Sequence, residues 1–438
     1  MYKIKLLDAV NGVITVPADK SISHRAVMLS AIALGKTKIK PFLKSDDTSN
    51  TVKCLCRLGV SIEQSGKNSL MVDGIGKFFK CEDTVKLNAG ESGTTMRILS
   101  GILCAQKFGT IMDCKPALRK RPMARIVNPL SCMGASITGV NRNGNVYGPL
   151  KFIPVKKIIR GKFNNKIASA QIKTALIFAA LYAQGETVIT EPYVSRNHTE
   201  NMLKLFGIPI KVSGRTVRVT GVNKIKSPGK IVVPGDFSSA AFFIVLGSLL
   251  AGSEIVIKGV NINKTRTGLL RVLKRMGADI KLKNKITDYE ISADIIVKAG
   301  KLKGVEVKEN EIPSMIDEIP ILCVAAVFAS GTTVINGVRE LKVKETDRLA
   351  AIMVNLKAAG VKVKEEIYKT ANDNYDYRLV VTGTKKLRHA QFNSFSDHRM
   401  AMSAIVLGIL SGKGGELDDV RCINKSFPDF IKIIERLK

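Results

Sequence analysis

Six stretches of this chain are apolar on nearly every side at helical length, and each opens on a short polar run. The openings are Asp19-Lys-Ser-Ile-Ser-His-Arg25, Ser92-Gly-Thr94, Ser169-Ala-Gln171, Asp236-Phe-Ser-Ser239, Ile316-Asp-Glu318 and Asp397-His-Arg-Met400. A helix on a protein surface carries one apolar stripe, so helices apolar all round predict burial. Each apolar run stops near a glycine and passes into an alternating segment, such as Thr187-Val-Ile-Thr190 or Gly331-Thr-Thr-Val-Ile-Asn336, which predicts a strand.

The pattern is an internal repeat. Val16-Pro-Ala-Asp19 and Val233-Pro-Gly-Asp236 begin two segments that match through hydroxyls, an apolar helix of about four turns, a glycine and a strand. The six helix starts lie about 70 to 80 residues apart, three in each half. The predicted fold class is α/β: two similar domains of three repeated units each, with buried helices enclosed by strands and surface helices. A doubly wound parallel sheet is the generic competitor, but no glycine-rich dinucleotide or P-loop fingerprint follows any strand. The repeat also separates chemistry from scaffold. Asp and Ser recur in both copies, whereas Lys20 stands opposite Phe237, so the fold does not demand that lysine.

Composition narrows the function. The chain has 438 residues, 45% hydrophobic, and a formal net charge of +32. The longest strongly apolar stretch, about residues 240–251, falls short of the roughly 18 residues a membrane span needs. The start alternates like a strand and lacks a signal-peptide core, so a cytoplasmic location is expected. The lysines are spread along the chain, aromatics make up only 5%, and no nucleic-acid motif appears, so the basic field is expected to gather small anions rather than nucleic acid. The eight cysteines show no C-x-x-C pair and the four histidines no metal-ligand spacing, so no metal site is expected.

Cations and a few carboxylates collect at the helix starts and in adjoining loops: Lys20, Ser21, Arg25, Gly93, Thr94, Ser169, Gln171, Asp317, Glu318, Asp397, His398 and Arg399, with Arg121, Lys344, Glu345, Arg348 and Lys425. Helix N-termini favour anions, and isolated carboxylates among cations suit proton transfer. Plainer readings stand beside these. Glu345 and Arg348 have the spacing of an exposed ion pair, Asp317 and Asp397 that of N-caps, and Arg121 sits in a basic loop.

In order and spacing, these residues resemble the 5-enolpyruvylshikimate-3-phosphate synthase (3-phosphoshikimate 1-carboxyvinyltransferase) family. The motifs are Asp19-Lys-Ser-Ile-Ser-His-Arg25, Asn88-Ala-Gly-Glu-Ser-Gly-Thr-Thr-Met-Arg97, Lys120-Arg-Pro122, Ser169-Ala-Gln171, Ile316-Asp-Glu318, Val343-Lys-Glu-Thr-Asp-Arg348, Asp397-His-Arg-Met400 and Lys425-Ser-Phe-Pro428. The resemblance implies an inside-out α/β barrel in each of two domains, built from βαβαββ units with parallel buried helices. The domains would be 12–228, and 1–11 with 229–438, because the family's first strand joins its C-terminal domain. It implies transfer of the enolpyruvyl group of phosphoenolpyruvate to the 5-hydroxyl of shikimate 3-phosphate, with release of phosphate, by a monomer without metal or organic cofactor.

Carried over by position, Lys20, Ser21, Arg25, Ser169, Ala170, Gln171, Asp317 and Lys344 would bind shikimate 3-phosphate. Ser195 and Arg196, in a segment like the family's Arg-Asp-His-Thr branch, are expected to touch its phosphate. Lys20, Gly93, Thr94, Arg121, Gln171, Arg348, Arg399 and Lys425 would bind phosphoenolpyruvate. The catalytic set would be Asp317, Glu345 and Lys20, with Asp317 taking the hydroxyl proton and Glu345 protonating the methylene carbon. Gly93 would border the pocket that the family's inhibitor, glyphosate, shares with phosphoenolpyruvate. Two positions depart from the better-known pattern: Ala170 replaces a frequent Ser, and Glu340 a frequent Asn. The sister family, UDP-N-acetylglucosamine 1-carboxyvinyltransferase, carries Lys-Asn where this chain has Lys20-Ser21 and a reactive Cys where it has Pro116; Cys114 lies two residues too early.

Overall fold

Five of the six expected buried helices begin where a side chain satisfies an N-terminal N–H. In a computed structural model that describes residues 1–370 and 374–437, Asp19, Ser92, Ser169, Asp236 and Asp397 cap the helices Lys20–Ile32, Gly93–Leu103, Ala170–Ala180, Phe237–Leu249 and His398–Leu410. The remaining helix, Ile319–Phe328, has no side-chain cap. Pro320 in its first turn has no N–H to leave unpaired. Burial is as the pattern requires. Every residue of Ile22–Ile32 lies below the surface, and so does the run from Phe237 to Ser248.

Each helix feeds a sheet of one recurring design. Val85–Asn88 runs parallel to Thr110–Asp113, which pairs antiparallel with Asn145–Ile153, which pairs antiparallel with Ser136–Arg142. The order recurs in Lys162–Asn164, Glu186–Thr190, Thr216–Thr220 and Ile210–Ser213, and in Glu306–Val307, Thr332–Ile335, Tyr375–Thr382 and Val363–Lys369. Among the described residues five sheets have four strands, and the sixth has three: Ala390–Phe392, Gly415–Leu417 and Tyr2–Lys3. This is the repeated α/β architecture expected from the pattern, with one unit closed by the chain's first strand.

The chain forms two compact units, Ala18–Pro234 and Met1–Pro17 with Gly235–Lys438. Strands are exchanged relative to the sequence repeat. Asn11–Thr15 leads into the Lys20–Ile32 helix but pairs with Glu254–Asn261. Lys230–Ile231 leads into the Phe237–Leu249 helix but pairs with Leu34–Ile39. Both pairings are parallel, and neither is visible in a periodicity that spans two to five residues.

Packing sets the helix starts in place. Gly101 on the second buried helix approaches the third so closely that a Cβ would overlap the Ala175 carbonyl, so backbone meets backbone. In the other unit Phe242, Phe243, Phe427 and Phe430 interlock with ring centroids 5.5–5.9 Å apart. Phe427 thereby anchors the segment that carries Lys425. One expectation is corrected locally: Gly35 does not end the first helix, which stops at Ala33. It lies within the Leu34–Ile39 strand at φ +99°.

Candidate active site

Within Ala18–Pro234, the first three helix starts form one hydrogen-bonded group. Arg25 is 2% exposed. Its Nε donates to Thr199 Oγ1 at 2.8 Å, Nη1 to the Ser21 carbonyl at 2.9 Å, and Nη2 to Thr174 Oγ1 at 2.8 Å and the Ala170 carbonyl at 3.4 Å. One guanidinium thus ties the first buried helix to the third and to the start of the His198–Leu205 helix. Gln171 receives Arg97 Nη1 on its Oε1 at 2.9 Å and donates from Nε2 to Thr94 Oγ1 at 3.1 Å, which locks the second and third starts together. Lys20 Nζ lies 3.0 Å from Asp47 Oδ2, both largely shielded. Asp47 rides on the Asp46–Arg57 helix, whose start Ser45 and Thr48 cap reciprocally.

Gly93 is the first residue of its helix and needs no positive φ. A Cβ there would lie 2.9 Å from Arg121 Nη1, so the missing side chain makes room for a guanidinium. Beneath this surface His24 Nδ1 pairs with Thr51 Oγ1 at 2.7 Å, Thr51 with Thr95 at 2.6 Å, and Thr95 with Ser92 at 2.7 Å. Burial, then the charges of Lys20 and Arg25, hold the His24 imidazole well below its ordinary pKa, so it packs as a neutral group.

Ser195 is engaged within its own loop. Its hydroxyl donates to Glu191, with both oxygens within 2.9 Å, and it is 3% exposed. Lys173 Nζ sits between Glu191 at 2.9 Å and Glu200 at 2.7 Å and donates to the Ser195 carbonyl. Burial disfavours that ammonium, but Glu200 and Glu191 outweigh it and raise its pKa. This buried triad holds the loop that delivers Thr199 to Arg25 and leaves Arg196 half-buried.

In the other unit one guanidinium organises the site. Arg348 is 1% exposed. Its Nε donates to Asp397 Oδ2 at 2.7 Å, Nη1 to Asp317 Oδ1 at 3.1 Å, and Nη2 to Glu345 Oε2 at 2.6 Å and Asp397 Oδ1 at 3.4 Å. Burial opposes its charge, yet Asp397, Glu345 and Asp317 raise its pKa above the ordinary arginine value. Four hydrogen bonds to three carboxylates thus converge on this one side chain. Arg399 faces Asp317 and Glu318, each at 3.8 Å. Glu318 in turn accepts from Ser238, which receives Arg266 Nη2 at 3.0 Å, while Arg266 holds Asp236 at 2.6 Å. Lys344 is half-buried; burial lowers its pKa, while Asp317 and Glu340 favour its charge. Lys425 Nζ donates to the Ser396 carbonyl at 3.0 Å, in a turn where Phe395 and Ser396 adopt φ of 50° and 55°.

Several plainer readings are resolved here. Glu345 and Arg348 do form an ion pair, but with Arg348 buried beneath it. Asp397 is both N-cap, accepting from the Arg399 N–H at 2.8 Å, and partner of Arg348. Asp317 is not a cap. The expected dominance of cations holds only in Ala18–Pro234. The carboxylates cluster in the other unit, where Arg348 and Arg399 face Asp317, Glu318, Glu345 and Asp397. Sequence reasoning missed Asp47, Thr174, Thr199 and Arg266. Asp47 had a local signal, the capping pattern Ser45-Asp-Asp-Thr48, and Thr199 closes the Arg196-Asn-His-Thr199 segment that resembles the family's Arg-Asp-His-Thr branch. Cys114 is buried, and burial, with Asp113, pushes its thiol up to about 11, which suits packing rather than nucleophilic chemistry.

Among the described residues no cluster of three or more His, Cys, Asp or Glu is arranged to hold a metal, and no helix is long and apolar enough to cross a membrane. Residues 4–434 match the family model described as EPSP synthase (3-phosphoshikimate 1-carboxyvinyltransferase). A 3-phosphoshikimate 1-carboxyvinyltransferase of Petrotoga mobilis is 44% identical over 431 residues, covering 98% of this chain and 97% of the relative. A solved EPSP synthase from Acinetobacter baumannii superposes with a TM-score of 0.83 at 37% identity, covering 98% of this chain and 96% of that one. The enolpyruvyl transferase NikO from Streptomyces tendae, at 14% identity and a TM-score of 0.75 over 99% of this chain and 96% of that one, shares the fold.

Proposed function

The chain belongs to the EPSP synthase (3-phosphoshikimate 1-carboxyvinyltransferase) family, and from that premise we propose how its own residues carry the reaction. It transfers the enolpyruvyl group of phosphoenolpyruvate to the 5-hydroxyl of shikimate 3-phosphate and releases phosphate. Asp317 takes the hydroxyl proton as the oxygen adds to C2 of phosphoenolpyruvate, and Glu345 gives a proton to the methylene carbon. In the tetrahedral intermediate the new methyl group then returns a proton to Glu345 as the C2–O bond to phosphate breaks, and the proton held by Asp317 passes to the departing phosphate. Lys20, Arg121, Arg348, Arg399 and Lys425 bind phosphoenolpyruvate with Gly93, Thr94 and Gln171 and stabilise developing charge. Ser21, Arg25, Ser169, Ala170, Gln171, Arg196 and Lys344 hold shikimate 3-phosphate, Ala170 through its backbone. Ser195 serves the loop through Glu191 rather than the substrate directly.

The observation that carries this reading is Arg348, which holds both Asp317 and Glu345 on one buried guanidinium. Two proton-transfer groups are thereby fixed against the same cation, as a reaction with two proton transfers around one carbon pair requires. The test is phosphate release with both substrates present and each omitted in turn; release from phosphoenolpyruvate alone would overturn it. We place the enzyme in the cytoplasm as a monomer acting on small anions rather than nucleic acid. Light scattering and a duplex-binding titration check those points.

Two substitutions test individual sites. Arg25→Ala removes hydrogen bonds from a charged donor worth about 1.5–3 kcal/mol each, so the KM for shikimate 3-phosphate is expected to rise roughly 10- to 100-fold. A defect confined to phosphoenolpyruvate would show that Arg25 serves the other anion. Gly93→Ala places a methyl against Arg121 and is expected to weaken glyphosate by about 1–3 kcal/mol, with a smaller rise in the phosphoenolpyruvate KM. Equal loss of both would mean general damage to the helix start.

A further inference from the structure

A concavity of about 320 Å³ lies in the Ala18–Pro234 unit, lined by residues to which the reaction assigns nothing. Lys53 and Arg57 reach it from successive turns of the Asp46–Arg57 helix, Lys86 from the Val85–Asn88 strand, and Lys115 from the turn before Pro116. Asn50 and Asn88 add amide groups, and no acidic residue or aromatic ring lines the space. Among the described residues none of the four cations is paired with a carboxylate. All four are exposed, so solvent and salt temper their mutual repulsion, and together they present a concentrated positive potential to an anion.

We propose that this hollow is a binding site for a compact multivalent anion carrying two phosphoryl groups. Its size admits pyrophosphate or a small sugar bisphosphate, the amides suit hydroxyl or phosphoryl oxygens, and nothing there stacks a nucleobase. The site adjoins the active-site scaffold. Gly90 lines it at φ +59°, where a Cβ would overlap Asn50, and the Gly90 carbonyl accepts the Lys115 N–H at 2.8 Å. The next residues are Glu91, Ser92 and Gly93. The helix that bears Lys53 and Arg57 also bears Asp47, the partner of Lys20. An anion gathered here therefore grips two elements that position Lys20 and Gly93.

The test is calorimetric titration of the full-length protein with inorganic pyrophosphate and, separately, fructose 1,6-bisphosphate. Three proteins are compared: wild type, Lys53→Gln/Arg57→Gln, and the control Lys281→Gln/Lys283→Gln, which removes the same charge from an exposed strand of the other unit. The pocket variant is expected to lose at least about tenfold in affinity for one or both probes, and the control less than about threefold, because screening limits distant charges. Turnover without added anion should match wild type in both variants, which shows that they fold. Equal weakening in the two variants would reduce the effect to the general basic field and overturn the proposal. So would a wild type whose binding survives unchanged in the pocket variant, or one that binds neither probe.

Discussion

Replacing Asp317 by Asn or Glu345 by Gln is expected to lower turnover by roughly 10²–10⁴, with KM values for both substrates moving only a few-fold. Each change keeps shape and a hydrogen-bonding oxygen toward Arg348 while removing a proton-transfer group. The two variants differ in where they stall. Asp317→Asn impairs activation of the hydroxyl. Glu345→Gln impairs protonation at the methylene carbon, so exchange of solvent deuterium into phosphoenolpyruvate should fall with it. Near-normal turnover in either variant would remove that residue from the mechanism.

The second large effect concerns stability as much as rate. Arg348→Gln strips a buried guanidinium from Asp317, Glu345 and Asp397, of which Asp397 is fully buried. Removing one partner of a buried ion pair costs about 3–5 kcal/mol, because it leaves uncompensated charge. The denaturation midpoint should fall accordingly, and activity should be lost at temperatures where the variant is still folded. Arg348→Lys should rescue little, since a single ammonium cannot reproduce a planar fork spread over three carboxylates. Wild-type stability with only a raised phosphoenolpyruvate KM would mean that Arg348 is a ligand cation and no more. Together the two experiments separate what Arg348 holds from what it does.

Much of this molecule can be read from its sequence because its repeat is unusually plain. Helices apolar on all sides have one physical solution, burial, and the Asp or Ser before each run is the cap that starts it. Lys20 was separable from its scaffold because Phe237 occupies the equivalent place. What escaped were partners supplied by distant chain. Thr199 reaches Arg25 across 174 residues, from a segment whose Ser195 and Arg196 were singled out but whose Thr was not, and Arg266 reaches Asp236 across 30 with no pattern to mark it. Ser195, expected to touch substrate phosphate, donates its hydroxyl to Glu191, four residues earlier, a partner that nothing in the polar loop singles out. The pairing of Lys230–Ile231 with Leu34–Ile39 was invisible because that segment is two residues long, and pairing, not composition, makes it a strand.

That exchange bears on how the chain acquires its structure during synthesis. All the strands of the Ala18–Pro234 unit lie in one uninterrupted stretch, so this unit can complete its sheets once residue 234 has left the ribosome. The first seventeen residues have no such opportunity. Asn11–Thr15 must wait for Glu254–Asn261, and Tyr2–Lys3 must wait for Gly415–Leu417. Until those partners are made, these early strands are unpaired edges. The lysines of Met1-Tyr-Lys-Ile-Lys5 are the kind of residue that keeps such an edge from joining a neighbouring chain instead.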